Sequence, residues 1–200
     1  MGDRRRGAVP PAVAAGDDAL RELEQRALIW IGPYWNANHL VRTRDWALEL
    51  DPHAGEALRL AALTHDMERH FPGGPISDLS LQPEEDIEYR RLHSERSARI
   101  VGDWLGDQRA DEALIVDVKR LILAHETGGE TDEDLIQAAD SLSFLETNTA
   151  LIAGWYTSGK CSRERAKAQH QWMFERIGLE RARKLARPLY EEAIAVVDRA

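Results

Sequence analysis

The chain has 200 residues and a mass of 22.6 kDa, with 43% apolar and 30% charged residues, a balance that fits one globular domain and excludes wholesale disorder. The formal charge of -9 and pI near 5.3 argue against a nucleic-acid polymer as partner, because clustered lysine and arginine would have to hold the phosphate backbone. No apolar run reaches the roughly 18 to 20 residues of a membrane span, and the lone cysteine, Cys161, can close no intrachain disulfide, so a cytoplasmic protein is expected.

Residues 1–17 combine Arg4-Arg5-Arg6 with Pro10-Pro11 and small residues, which reads as a disordered, mildly basic tail. From about Asp18 to Trp30, Leu20, Leu23, Ala27 and Leu28 share a helical face, with Asp17 or Asp18 as N-cap. Gly32-Pro33 ends that helix. A second, from about Asn36 to Leu50, has His39, Arg42, Thr43, Trp46, Ala47 and Leu50 on one stripe, which puts His39 at its inner beginning. After the Asp51-Pro52 turn, a third helix carries Leu58, Ala61, Ala62 and His65.

Between Arg69 and Pro83 the chain holds Pro72, Gly73, Gly74 and Pro75, which predicts a loop, and its place directly after His65-Asp66 suggests a lid over a site. A long helix over about Glu84 to Trp104 follows, with Tyr89, His93, Arg96, Ser97 and Ile100 on one face. The next, about Asp111 to His125, ends in His125. Gly128-Gly129 breaks the chain again, and Thr131 caps a helix to about Glu146 whose inner face includes Asp140. Residues from about Ala150 to Ala200 are helical as well, with a turn at Ser158-Gly159-Lys160 and a kink expected at Pro188. Period-2 alternation is missing throughout, so the fold class is all-α, with a helical domain over 18–147 and a C-terminal helical extension, 148–200, packed on it.

Several of these helices end or turn inward in a residue that binds metals. Written in order they are His39, the adjacent pair His65-Asp66, His93, His125 and Asp140. Neighbours on a helix point roughly 100° apart, so His65 and Asp66 can serve one ion only where their helix stops, which the following Pro and Gly residues provide. A carboxylate on an apolar stripe, as at Asp140, is costly unless a cation or hydrogen bonds receive it. Imidazole and carboxylate donors suit a divalent cation, iron or manganese before magnesium. His53 and His170 lack such a setting and read as ordinary structural histidines.

The order His39, His65-Asp66, Asp140 resembles the HD superfamily of metal-dependent phosphohydrolases, over about Asn38 to Glu146. With His93 and His125 added it is similar to the subset holding two metal ions, the Asp of the pair bridging them. The segments around His93, His125 and Asp140, with Arg69 three residues after the pair, look most like the symmetrical diadenosine tetraphosphate hydrolases. The resemblance implies an HD-type helical bundle, two ions held by those six side chains, and hydrolysis of a phosphoanhydride or phosphomonoester of a nucleotide or related small molecule by metal-activated hydroxide.

Around that centre, Asp66, Arg69 and Glu126 are the candidate catalytic residues. Arg69, Arg42, Arg96 and His70 are the candidates for holding the phosphorylated substrate, the arginines because a guanidinium matches a phosphate in a bidentate way. Glu68, Glu126 and Glu146 are candidate acids or orienters of the ligand imidazoles. A homodimer is compatible with the sequence. Two alternatives use the same residues: a mixed-valent di-iron oxygenase of the same superfamily acting on a small polar substrate, and a non-catalytic interaction module containing metal.

Overall fold

The computed structural model describes residues 15–200, with side chains from Glu22 onward. Nine α-helices make up the described fold: α1 (Ala15–Ile31), α2 (Ala37–Leu50), α3 (Glu56–Thr64), α4 (Ile87–Asp107), α5 (Glu112–Ala124), α6 (Thr131–Thr147), α7 (Thr149–Thr157), α8 (Arg163–Glu175) and α9 (Glu180–Arg199). Two short 3-10 turns, Met67–His70 and Pro83–Glu85, flank the long loop. The described residues contain no strand, and none of their helices is long and apolar enough to cross a membrane.

α3 is the axle of the first core. Leu58 and every residue from Leu60 to Thr64 are buried, and it touches α1, α2, α5 and α6. Ala61 and Ala62 make this possible, since small side chains let several helices approach the same backbone. Its charged residues, Glu56 and Arg59, are confined to the first turn, and the rest of the helix is apolar apart from the buried Thr64, whose hydroxyl donates to the Leu60 carbonyl. The burial is worth roughly 1.5 to 3 kcal/mol for each large side chain such as Leu60 or Leu63. Trp30 of α1 stacks on Trp104 of α4, with ring centroids 4.6 Å apart, and so closes the far side.

α6 belongs to two cores at once. Leu135, Ile136 and Ala139 join the first, while Ala138, Leu142 and Leu145 meet Met173, Phe174, Ile177, Ala182 and Ala186 from α8, α9 and the link between them. Being covered from both sides, α6 is buried almost continuously from Leu135 to Ser143. It sits where the extension meets the rest of the chain.

Several boundaries differ from the sequence expectation. Of the expected tail, residues 1–14 lie outside the described residues, and α1 already begins at Ala15, so Asp17 and Asp18 fall inside the helix instead of capping it. α4 starts at Ile87 because Pro83–Glu85 forms a separate 3-10 turn with a Gln82/Glu85 capping box. The cap of α6 is Glu130, paired reciprocally with Glu133, and Thr131 is the first helical residue. α9 runs as one helix through Pro188. The bond that proline removes is that of the Lys184 carbonyl, and both residues are exposed, where water replaces the lost donor.

Candidate metal centre

Each of the six expected donors is at most 5% exposed, and helix starts, helix interiors and helix ends all contribute. His39 lies in the first turn of α2, and Asp140 in the middle of α6. His93 projects from α4. His65 and His125 are the C-terminal caps of α3 and α5. Asp66 follows His65 with φ -99° and ψ 4°, outside helical geometry. That departure lets adjacent side chains converge where a continuing helix would have splayed them.

The donor atoms gather in overlapping groups. His39, His65 and Asp140 present ligand atoms within 4.8 Å of one another, as do His65, Asp66 and His125, and also His93, His125 and Glu126. His39 Nε2 and His65 Nε2 lie 3.1 and 3.4 Å from Asp140 Oδ1. Asp66 Oδ1 is 3.0 Å from His93 Nε2 and 3.9 Å from His65 Nε2. Two histidines are thus shared between groups, and Glu126 adds a seventh donor.

All four rings spend Nδ1 on the outside and turn Nε2 inward. His65 Nδ1 donates to the Ala62 carbonyl at 3.1 Å and His125 Nδ1 to the Ile122 carbonyl at 2.6 Å. A carbonyl can only accept, so in the neutral ring the proton sits on Nδ1 and the lone pair on Nε2. Ser143 Oγ donates its own hydrogen to the His39 carbonyl at 2.7 Å, which leaves it to accept from His39 Nδ1 at 2.9 Å. His93 Nδ1 faces Glu68 Oε1 at 2.8 Å, and Arg96 holds the other oxygen of Glu68, also at 2.8 Å. Outward partners of this kind fix the orientation of metal-binding imidazoles.

Two of the inward nitrogens, His65 Nε2 and His93 Nε2, are buried without any hydrogen-bond partner. An orphaned buried acceptor costs about 1 to 3 kcal/mol, and a cation is the group that four converging lone pairs and three carboxylates would satisfy together. The donor set fits a divalent metal.

Charge in the cluster is partly offset by two arginines. Arg69 Nη1 donates to Asp66 Oδ2, and its Nη2 to Tyr89 Oη at 2.9 Å. Arg176, from the end of α8, donates through Nη2 to Asp140 Oδ2, through Nη1 to Glu126 Oε2 at 2.7 Å and through Nε to Ser141 Oγ at 2.8 Å. Burial would push the Asp66 carboxyl up, yet Arg69 and the neighbouring histidines hold it well below the usual carboxylate range. Burial acts on Asp140 and Glu126 in the same way and Arg176 reverses it. His125, burial being the main cause, is pulled down to about 4. Asp66, Asp140 and Glu126 together still outnumber the two guanidiniums.

The cluster forms one wall of a cavity of about 330 Å³. His39, Asp66, Arg69, His125, Glu126 and Asp140 line it, together with Arg176. The loop expected as a lid contributes Ile76, Ser77 and Leu79 to the lining. Asp86 pins that loop by accepting from Ser77 Oγ at 2.8 Å and from the Asp78 amide at 3.0 Å. Gly74 lets it pass over the Glu68 and Arg96 side chains, because a Cβ there would collide with both.

Three of the four side chains expected to hold substrate lie elsewhere. Arg42 forms a paired contact with Glu146 (2.9 and 3.1 Å) at the half-exposed edge of α2 and lies outside the cavity. Arg96 is used up on Glu68 and on the carbonyls of Phe71 and Pro72. His70 is exposed and packs beside Tyr34 and Phe71. Only Arg69 reaches the cavity. Glu68 orients His93, and Glu146 accepts from Trp46 Nε1 at 2.8 Å as well as from Arg42.

Arg176 had no part in the sequence expectation. The signal available was faint: Trp172 and Arg176 stand four apart on α8, and the guanidinium lies 4.5 Å from the indole centroid. No family model matches the chain, and no curated protein and no solved structure matches it either.

Proposed function

We propose that the chain is a metal-dependent phosphohydrolase of the HD type, acting on a phosphoanhydride or phosphomonoester of a small molecule. The observation carrying this reading is the convergence of four imidazole Nε2 atoms, with tautomers set from outside, on Asp66 and Asp140 at the wall of a cavity where Arg69 and Arg176 hold those carboxylates. His39, His65, Asp66, His93, His125 and Asp140 would hold the metal, with Glu126 as a further donor. Bound divalent ions lower the pKa of water and offset charge on phosphate oxygens, which is the chemistry such a hydrolysis requires.

The protein's own contribution can be stated residue by residue. Arg69 offers a guanidinium one-third exposed toward the cavity, where a phosphate oxygen can exchange for part of its contact with Asp66. Glu126 is held ionised by Arg176 against the effect of burial. It therefore accepts a proton rather than donating one, and Oε1 is the oxygen that Arg176 leaves free. Tyr89 stacks on His93 with centroids 5.7 Å apart and keeps water from that side of the ring. Phe144 meets the His39 ring edge-on, with centroids 6.5 Å apart.

The test is to load chelator-stripped protein with manganese under anaerobic conditions and measure phosphate release from a panel of nucleotides and small phosphate esters. Release dependent on the added ion is expected. Substrate-dependent oxygen uptake by the iron-loaded protein, with no phosphate release by either form, would overturn the reading in favour of an oxygenase.

A further inference from the structure

Guanidinium groups in this protein are for the most part matched with carboxylates. Arg44 and Arg59 share Glu24, Arg96 holds Glu68, Arg120 holds Glu133, and Arg176 holds Asp140 and Glu126. Arg165 departs from this. It is 5% exposed, the one lysine or arginine counted among the buried residues described, and no carboxylate oxygen of the described residues lies within 4.0 Å of it. Its Nε donates to the Leu81 carbonyl at 2.6 Å and its Nη1 to Gln169 Oε1 at 3.0 Å. Both acceptors are neutral, and Nη2 donates to nothing among the described residues. Burying an uncompensated cation is costly, so its retention calls for an anion from outside the chain.

Two further cations share that setting. Arg90 donates to the carbonyls of Pro83 and Glu84, lies 4.9 Å from the Trp172 centroid, and again has no carboxylate partner among the described residues. The exposed Lys160 ammonium makes no hydrogen bond or ion pair among the described residues. Arg90, Lys160 and Arg165 all line the cavity that holds the metal cluster, yet none of them bonds to a residue of that cluster. Asp86 also lines the cavity, and its carboxylate is engaged by Ser77 and Asp78. Burial draws the Arg165 guanidinium down, with Asp86 and Glu84 too weakly placed to reverse it. Arg42, Arg69, Arg91 and Arg120 are all shifted the other way.

The remaining lining includes Phe144, Leu151, Trp155, Trp172 and Met173, a surface for an aromatic or apolar body. We propose that Arg90, Lys160 and Arg165 form a second anion subsite, so that the ligand of this cavity carries an anionic group remote from the metal cluster on an aromatic or apolar body. That the group at the cluster is a phosphate to be hydrolysed rests on the function proposed above; the second subsite does not.

The probes are phenyl phosphate and phenyl phosphates bearing a carboxylate on para tethers of increasing length. Calorimetry on metal-stripped protein and steady-state kinetics on the manganese-loaded protein use the same compounds. At least one tethered compound should bind about tenfold tighter than phenyl phosphate, the value of one charge-assisted hydrogen bond. Arg165→Gln should bring that ratio close to one. Lys160→Gln, at an exposed position with no folding role, should lower it by about twofold, as expected of a solvent-screened charge, which keeps the test valid should the Arg165 variant fail to fold. The subsite is overturned where no tethered compound gains over phenyl phosphate, or where the gain survives both substitutions. Discrimination by the stripped protein without turnover by the loaded one would sink the hydrolase and leave the subsite standing; turnover without discrimination would do the reverse.

Discussion

The helices from α2 to α6 and those from α7 to α9 treat charge in opposite ways. The first group turns imidazole and carboxylate donors inward to one point and leaves two Nε2 atoms without a partner. The second supplies no donor to that point, but it sends Arg176 into the cluster and Arg165 into the cavity beside it. The first group supplies one guanidinium to the cluster, Arg69, and the second supplies the other, Arg176. The extension is therefore half of the site's electrostatics and cannot be regarded as a passive cover, because a buried carboxylate such as Asp140 would otherwise have to be protonated or hydrated.

The largest effect should come from Asp66→Ala, which removes the donor lying near both His65 and His93. Elemental analysis should then find little metal in the purified variant, whereas His93→Ala should lose part of it. Equal, wild-type metal content in both would dissolve the distinction between the two helix groups. Next comes Arg176→Met, in which Asp140 and Glu126 lose their shared buried partner. A stability loss of about 3 kcal/mol is expected in urea unfolding of the stripped protein, as for other buried pairs broken from one side. A loss below about 1 kcal/mol would make α8 an independent layer after all.

His170 of α8 gives the smallest and most specific test, at a distance from the cluster. It is fully buried, neither ring nitrogen has a partner, and burial pulls it down to about 4. The unfolded chain takes up the proton near pH 6.5 while the folded chain refuses it until about pH 4. Its contribution is thus intact above pH 6.5 and lost as pH falls through that window, by up to roughly 3 kcal/mol. His170→Leu should flatten the pH dependence of stability between pH 7 and pH 5 by about 2 kcal/mol, the share of that loss falling between pH 6.5 and pH 5. An unchanged slope would mean that the ring is hydrated.

What could be read from the sequence follows from the range of the interaction. The donors announced themselves because each is a polar residue on an apolar stripe or at the end of one, which is a local pattern. Arg42 and Arg96 each stand one turn after a ligand, which points them at the substrate, yet a guanidinium has enough reach to leave that direction, and Glu146 and Glu68 claim them. Arg165 and Arg176 sit in a charged stretch, Arg163 to Arg176, that has the look of a solvated helix. Their partners, Leu81, Glu126 and Asp140, are 84, 50 and 36 residues away, beyond any periodicity. Glu130 is hidden as a cap for a smaller reason: glutamate seldom serves there, and here Glu133 makes the reciprocal bond that lets it.

The bond from Arg165 to the Leu81 carbonyl joins the first residues of α8 to the end of the loop over the cavity. That loop cannot swing outward at Leu81 without letting go of the extension. The loop that lines the cavity and the seating of α8 are in this way tied together at Leu81, and an anion arriving at Arg165 would compete with that carbonyl for the guanidinium.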